Sequence, residues 1–325
     1  MKASGDIAQR LVHGDRAALA RMISWAENGD PRFAAALSSV YGKVGRAWRV
    51  GITGPPGAGK STLVNELARL MRAGQQTVGV LAVDPSSPFT GGALLGDRIR
   101  MEDRTLDSGV YIRSMATRGS HGGLSRAASS ACDVMDAFGF DRIVIETVGV
   151  GQAEYDVLDA ADTVVVVLCP GAGDGIQALK AGLLEVADVL VVNKSELPGA
   201  DRLLNDMSEA VHVRWLKRDW EVPVVACSAG TQSGVEAVLA AIEQHRAHLQ
   251  AHEVAAVRRR KRVEQVRHAL EMGLSASLWR EKGYAQRVER ELAAGAVPHD
   301  VAAGLLSELS ARIPSAADAP RETSR

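Results

Sequence analysis

The sequence has few cysteines, no excess of either charge and no long apolar run. Its three cysteines, Cys132, Cys169 and Cys227, are scattered without a C-x-x-C spacing. That pattern argues against a zinc site or a disulfide framework and suits a reducing cytoplasm. We expect all three to be small buried apolar residues. Lysine plus arginine (38) nearly cancels aspartate plus glutamate (39), so no global field would hold the chain on nucleic acid or on an anionic membrane.

The apolar runs are too short for membrane insertion. None approaches the roughly 18 to 20 residues needed to span a bilayer, and residues 1–10 lack the apolar core of a signal peptide. The sequence therefore predicts a cytoplasmic protein with small-molecule or protein partners, and with no nucleic-acid or membrane partner. Because 46% of its 325 residues are apolar, the chain can bury a large core.

Short β-branched runs alternate with longer helical stretches between about residues 48 and 250. This alternation predicts an α/β fold, in which helices cover both faces of a mostly parallel sheet. The candidate strands are 49–53, 78–84, 110–113, 142–146, 163–169, 189–193 and 222–227. We place this domain at 47–250, with a helical extension at 1–46, a helical arm at 251–313 and a disordered tail at 314–325.

Helical patterns flank the domain on both sides. Residues 15–27 space apolar side chains at helical intervals behind Asp15, a suitable N-cap. The C-terminal stretch contains a basic cluster at 258–262. Because this cluster has no interleaved aromatic residues on which bases could stack, it favours a solvated helix face over a nucleic-acid site.

A phosphate-binding loop follows the first strand and opens a helix, the context that the G-x-x-x-x-G-K-[ST] pattern requires. Glycines let backbone N–H groups and the helix N-terminus face phosphates. Lys60 would reach the β- and γ-phosphates, and the Ser61 hydroxyl would bind Mg²⁺. The loop consists of Gly54, Pro55, Pro56, Gly57, Ala58, Gly59, Lys60 and Ser61, with Thr62 next in the helix. The fold class is therefore that of a P-loop NTPase with N- and C-terminal helical additions.

A second element of the nucleotide site is predicted at the end of the strand at 142–146. Glu146 ends this strand, where a carboxylate can hold a metal-bound water, and Gly149 leaves room for its N–H to contact the γ-phosphate. An acid at a strand end is by itself usually a solvated residue or a helix cap. Together with the phosphate loop, it indicates a Mg²⁺ site.

The segment Asn193-Lys194-Ser195-Glu196 resembles the guanine-recognising pattern Asn-Lys-x-Asp. The lysine stem would cover the base, and the carboxylate would accept from the N1–H and the exocyclic amine, donors that adenine lacks. Ser228 and Ala229 resemble the Ser-Ala element that completes a guanine pocket. Taken alone, the segment is equally compatible with a helix-capping turn. Its position after a later strand favours GTP and GDP as the nucleotides.

The segments at 83–88, 90–101, 146–152 and 170–174 resemble the MeaB/MMAA/ArgK family over nearly the whole chain. Members are GTPase chaperones of adenosylcobalamin-dependent acyl-CoA mutases such as methylmalonyl-CoA mutase. The resemblance implies that the nucleotide state gates transfer of adenosylcobalamin from an adenosyltransferase to the mutase and helps to expel damaged cofactor. It also implies a homodimer formed through the C-terminal helices.

The resemblance assigns roles to individual residues of this chain. Asp84 and Asp97 would belong to the magnesium and first-switch region, Glu146 to the Mg²⁺ side, and 171–177 to a segment that communicates with the mutase. With Lys60, these three acids form the candidate catalytic set, and Asp84 and Asp97 are candidates to position the attacking water. Considered by itself, Asp84 is equally compatible with a cap before Pro85.

Two other functions are compatible with the phosphate loop. One is a kinase that acts on an amino-acid transport protein, but the sequence offers no separate acceptor domain or base for a protein hydroxyl. The other is a metal-delivery GTPase. Such a protein needs clustered soft ligands, and neither the three cysteines nor the eight histidines form a dense tract.

Overall fold

The computed structural model describes residues 2–84, 107–116, 121–147, 158–171, 183–214, 219–251, 254–281 and 283–312. The chain divides into two compact units, Met1–Gln265 and Val266–Arg325. The first unit contains the whole sheet. The predicted domain boundaries after residues 46, 250 and 313 stay predictions.

Seven strands form one sheet in the order β3-β2-β4-β1-β5-β6-β7, and every pairing between them is parallel. All seven predicted strands are confirmed, with ends that differ by up to three residues. The strands are β1 Trp48–Thr53, β2 Val78–Asp84, β3 Val110–Ala116, β4 Arg142–Thr147, β5 Thr163–Leu168, β6 Val189–Val192 and β7 Val224–Ala226. Strands β1, β4, β5 and β6 consist entirely of buried residues, which explains their almost unbroken apolar runs.

Helices precede, connect and follow the strands. They are α1 Lys2–Val12, α2 Arg16–Asn28, α3 Arg32–Val40, α4 Lys60–Ala73, α5 His121–Phe138, α6 Leu183–Val186, α7 Ala200–Arg214, α8 Val235–Ala251, α9 Val254–Ala276, α10 Tyr284–Ala293 and α11 Pro298–Arg312. The predicted cap of α2 is confirmed, because Asp15 accepts from the backbone amides of Ala17 at 2.8 Å and Ala18 at 3.2 Å. Among the described residues, no helix is both long and apolar enough to cross a bilayer.

Apolar side chains cover both faces of the sheet. Leu19 of α2 lies in one buried cluster with Met135 of α5 and Ile143 of β4. Leu67 of α4 lies in the other cluster with Val144, the next residue of β4. Because neighbouring strand residues point to opposite faces, these clusters lie on opposite sides of the sheet. The predicted N-terminal helical extension therefore packs on the core. The three cysteines are buried, as predicted.

A buried carboxylate fixes the chain where it enters β1. Asp136 of α5 accepts from the consecutive backbone amides of Gly45, Arg46 and Ala47, at 2.8, 3.0 and 3.0 Å. It also accepts from the Arg49 guanidinium at 3.1 Å, and its side chain has no exposed surface. One side chain therefore satisfies three backbone donors and a buried cation.

The basic cluster on α9 is not simply a solvated face, and that expectation is wrong for Arg258. The Arg258 guanidinium donates to both carboxylate oxygens of Asp162, at 2.8 and 2.6 Å, and to the Ala47 carbonyl at 2.9 Å. Asp162 also accepts from the Arg49 amide at 3.0 Å. Such two-point pairing is the strong form of an arginine–carboxylate contact. Composition alone could not show it, because Asp162 is distant in sequence.

His245 lies in a buried polar network at the same edge of the sheet. Its Nδ1 lies 2.9 Å from the Thr163 hydroxyl, which also accepts from the Trp48 indole N–H at 3.0 Å. Burial lowers the pKa of His245 from 6.5 to about 4, with smaller contributions in the same direction from His248 and Lys261 and an opposing one from Asp162. The imidazole is therefore neutral in the folded protein near neutral pH.

Acidification should consequently destabilise the fold through His245. The unfolded chain binds a proton near pH 6.5 and the folded chain only near pH 4, so stability is full above pH 6.5 and falls as the pH drops towards 4. The loss is on the order of 3 kcal/mol. Urea unfolding at pH 7 and pH 5 should show a smaller loss in His245→Gln than in the wild type. His212→Gln, at an exposed histidine, should keep the wild-type pH dependence. An equal loss of unfolding free energy between pH 7 and pH 5 in all three proteins would contradict the role given to His245.

Candidate nucleotide-binding site

The phosphate loop connects the end of β1 to the start of α4. Gly54 has φ 144°, and a β-carbon there would overlap the Val167 carbonyl oxygen. Gly59 is the N-cap of α4 with φ 86°, and a β-carbon there would overlap the Asn193 amide nitrogen. Both positions combine a left-handed backbone with a close neighbour, so only glycine fits them. The predicted glycine roles thus have a steric basis on both sides of the loop.

The Lys60 ammonium lies across the loop. Its Nζ donates to the carbonyl oxygens of Gly54 at 2.8 Å and Pro55 at 3.1 Å, and the residue is only 7% exposed. A lysine ammonium held against a phosphate loop provides a cation for the β- and γ-phosphate oxygens. The backbone carbonyls hold the side chain in place.

Ser61 and Glu146 meet at the end of β4. The Ser61 hydroxyl donates to a Glu146 carboxylate oxygen at 2.5 Å, and Glu146 is 2% exposed. Next to them, the Thr147 hydroxyl donates to that of Thr53 at 3.0 Å, which joins the ends of β4 and β1. Hydroxyl and carboxylate oxygens are the ligands that Mg²⁺ prefers, so this pair fits a magnesium ion.

Three predicted residues are not placed with this pair. Asp84 is the last residue of β2, and β2 lies beside β4 in the sheet, but its side chain is outside the described part of the structure. Asp97 and Gly149 lie wholly outside the described residues. The roles of all three stay predictions.

Asn193 connects the phosphate loop to the segment after β7. Its amide nitrogen donates to the Ala58 carbonyl at 2.8 Å, and its amide oxygen accepts from the Ala229 backbone N–H at 3.0 Å. The side chain is buried and uses both ends of the amide. Sequence reasoning linked Asn193 only to the base, whereas the structure also gives it this connecting role.

Lys194, Glu196 and Ser228 lie close together beyond Asn193. The Ser195 amide donates to the Cys227 carbonyl at 3.0 Å, which brings the turn at 193–196 against the segment at 227–229. The pKa of Glu196 is lowered first by a hydrogen bond from the Ser228 side chain, then by its own backbone amide and by Lys194. The carboxylate is therefore ionised at neutral pH and accepts hydrogen bonds, as guanine recognition requires.

The structure thus brings the phosphate-loop residues, Glu146, the 193–196 turn and the 227–229 segment to the carboxyl ends of adjacent parallel strands. That edge is where ligands bind in open α/β sheets. Sequence reasoning missed the paired threonines Thr53 and Thr147, and also Thr231, which contacts Ser228. The spacing of Ser228 and Thr231 in a Ser-Ala-Gly-Thr turn was a usable signal, because Ser and Thr hydroxyls often bond locally in such turns.

Sequence comparison identifies the relatives of this chain. The family model described as Methylmalonyl Co-A mutase-associated GTPase MeaB matches residues 19–282. The chain belongs to the MeaB family. A relative from Pyrococcus horikoshii, which also carries GTPase in its name, is 47% identical over 268 residues, or 82% of this chain and 84% of the relative. GTPase ArgK of Escherichia coli is 38% identical over 242 residues, covering 72% of this chain and 73% of that protein.

A solved structure shares the fold. The crystal structure of an LAO/AO transport system kinase has a TM-score of 0.75 and 27% identity, and the match covers 95% of this chain and 98% of that one. The predicted family and the predicted α/β fold are both confirmed. As a MeaB family member, the chain is a GTPase that binds GTP and GDP.

Proposed function

We propose that this GTPase gates the loading of adenosylcobalamin into a B12-dependent acyl-CoA mutase, and that it protects or reactivates that enzyme. The observation that carries the proposal is the match of residues 19–282 to a family described as associated with methylmalonyl-CoA mutase. GTP hydrolysis would drive the switch between the states of the protein. A cobalamin adenosyltransferase is the proposed source of the cofactor, and the cytoplasm is the proposed location.

The phosphates of GTP are proposed to lie in the loop formed by residues 54–59, with contacts from Lys60, Ser61 and Thr62. The Lys60 ammonium and the backbone donors of the loop would stabilise the charge that develops when water attacks the γ-phosphate in line. Ser61 and Glu146 would hold Mg²⁺, which neutralises phosphate charge when bound. Asp84 and Asp97 stay the candidates for the magnesium side and for positioning the water, and Gly149 for a γ-phosphate contact.

Guanine is proposed to bind beside the 193–196 turn. The Lys194 stem would cover the base, and the Glu196 carboxylate would accept from its N1–H and exocyclic amine. Asn193 would hold the pocket to the phosphate loop, and Ser228 with Ala229 would complete it. The 2.8 Å bond from Asn193 to Ala58 supports this arrangement, because it fixes the distance between the base and phosphate subsites.

The second unit, taken by itself, supports the proposed homodimer. Val266, Leu270 and Leu274 are spaced along one side of α9 and are 56–61% exposed. An exposed apolar row of this kind marks a contact surface more often than a solvated one. We expect light scattering to give twice the monomer mass for the wild type and the monomer mass for Leu270→Asp. Leu197→Asp, at an exposed leucine of the first unit, should stay dimeric; a monomeric wild type would refute the dimer.

The function is tested by GTP turnover with a purified cobalamin-dependent mutase. We expect slow hydrolysis that requires Mg²⁺, prefers GTP to ATP, and accelerates several-fold when the mutase is added. Removal of Mg²⁺ by a chelator should abolish it. Equal turnover of ATP and GTP would contradict the guanine assignment. If the mutase neither accelerates hydrolysis nor forms a complex with the protein, the chaperone assignment is contradicted.

The same assay separates the alternatives. The structural relative named a transport system kinase motivates a kinase activity, which would transfer γ-³²P from GTP to a protein instead of releasing phosphate. For metal delivery, no group of three or more His, Cys, Asp or Glu side chains able to hold a metal ion occurs among the residues that the structure describes. Metal titration of the purified protein tests that alternative directly.

A further inference from the structure

The segment after β7 is held in a fixed conformation by its own backbone. Ser228 and Ser233 exchange two backbone hydrogen bonds, at 2.8 and 3.1 Å, in an isolated antiparallel bridge. A short 3₁₀ turn, Ala229–Thr231, lies between them. The bridge closes a loop of only a few residues, so Thr231 stands at a fixed distance from Ser228.

The Thr231 hydroxyl contacts Ser228 directly. Its Oγ1 donates to the Ser228 hydroxyl oxygen at 2.8 Å and lies 3.3 Å from the Ser228 carbonyl oxygen. Thr231 is exposed, whereas Ser228 is 3% exposed. The hydroxyl of a surface threonine thus contacts the hydroxyl of a buried serine.

The number of hydroxyl protons limits the directions that these contacts can take. Ser228 has one hydroxyl proton, and the ionised Glu196 carboxylate can only accept. If Ser228 gives its proton to Glu196, the Ser228 oxygen stays available to accept from Thr231, as the 2.8 Å contact between the two hydroxyls requires. A hydroxyl that accepts a hydrogen bond becomes a better donor. The contact from Thr231 would therefore strengthen a bond from Ser228 to Glu196.

We infer that Thr231 is a positioning residue for guanine recognition, whose hydroxyl orients Ser228 so that Ser228 holds the Glu196 carboxylate towards the base. The inference rests on the proposed role of Glu196 in guanine binding. Glu196 has one more rotatable bond than the aspartate of the Asn-Lys-x-Asp pattern, so it loses more side-chain entropy when fixed. Holding the carboxylate before the nucleotide arrives reduces that cost, as for any preorganised contact. The bond from the Ser195 amide to the Cys227 carbonyl, at 3.0 Å, keeps the turn that carries Glu196 against the segment that carries Ser228.

The test compares binding of GDP with that of inosine diphosphate, which lacks the exocyclic amine. Thr231→Val keeps the branched shape and removes the hydroxyl, and we expect it to weaken GDP binding about fivefold and inosine diphosphate binding less. The preference for GDP should therefore fall. In turnover the loss should appear in KM more than in kcat, because the interaction is made equally in the ground and transition states. Thr231→Ser restores the hydroxyl and should restore the preference.

Each outcome separates the positioning role of Thr231, called the relay below, from the guanine assignment on which it rests. Glu196→Ala should lower the preference for GDP further, and adding Thr231→Val to that variant should change nothing more. If Glu196→Ala keeps the wild-type preference, the guanine assignment itself fails. If Glu196→Ala lowers it but Thr231→Val leaves it unchanged, or weakens both nucleotides equally, only the relay is overturned. Thermal unfolding of each variant verifies that the chain is folded.

Discussion

Replacing Lys60 with alanine should reduce the rate of GTP hydrolysis on the order of a thousandfold. Lys60 is 7% exposed, and its ammonium lies across the phosphate loop on the Gly54 and Pro55 carbonyls. No other cation in the described part of the loop could replace it at the β- and γ-phosphates. Both kcat and nucleotide affinity should fall, because the lysine contacts the triphosphate in the ground state as well. Phosphate release and fluorescence titration with a labelled nucleotide measure the two effects.

Two further variants show whether the charge is responsible. Lys60→Met keeps most of the side-chain volume in this buried place and should be as inactive as Lys60→Ala. Lys43→Ala removes an exposed lysine outside the loop and should hydrolyse GTP at the wild-type rate. Hydrolysis close to wild type in Lys60→Ala would refute the assignment of the site.

Replacing Asp136 with alanine should destabilise the fold by about 3–5 kcal/mol. The change leaves the amides of Gly45, Arg46 and Ala47 without their acceptor and removes one carboxylate from the buried Arg49. Buried donors without a partner retain the full cost of losing water. Thermal unfolding should show a decrease in Tm of about 10 °C.

Asp141 provides a matched control for Asp136. It also accepts from a backbone amide, that of Thr77 at 2.8 Å, and from the Thr77 hydroxyl at 2.8 Å, but it is exposed. Water can replace it there, so Asp141→Ala should cost about 1 kcal/mol. A Tm for Asp136→Ala no lower than that of Asp141→Ala would contradict the role given to the buried carboxylate.

The sheet could be predicted from the sequence because strands that are buried on both faces consist largely of β-branched residues. The phosphate loop could be predicted because its glycines, lysine and serine have fixed spacing between a strand and a helix. Strand limits were less accurate at the edges of the sheet. Strand β3 extends to Ala116, and β7 covers only Val224–Ala226, since edge strands alternate less regularly and their ends depend on a single neighbour.

Contacts between distant parts of the chain could not be predicted. The bond from Asn193 to Ala58 and the pairing of Arg258 with Asp162 each join positions far apart in sequence. No local pattern distinguishes Asp136, which accepts four hydrogen bonds, from any exposed aspartate of a helix. The contacts of these residues depend on which helices and strands lie next to each other. That arrangement follows from the order of the strands in the sheet, which the periodicity of the sequence does not give.

The strand order also determines how many segments lie next to the nucleotide. Strand β1 pairs with β4 on one side and with β5 on the other, and Thr147 and Val167 both contact the end of β1 or the first glycine of the loop. The segments that leave β4 and β5 therefore both start about one strand spacing, roughly 5 Å, from the phosphate loop. A change in the conformation of that loop therefore lies next to the end of β4 and the end of β5 at the same time. Neither strand end needs an intervening element to contact the loop.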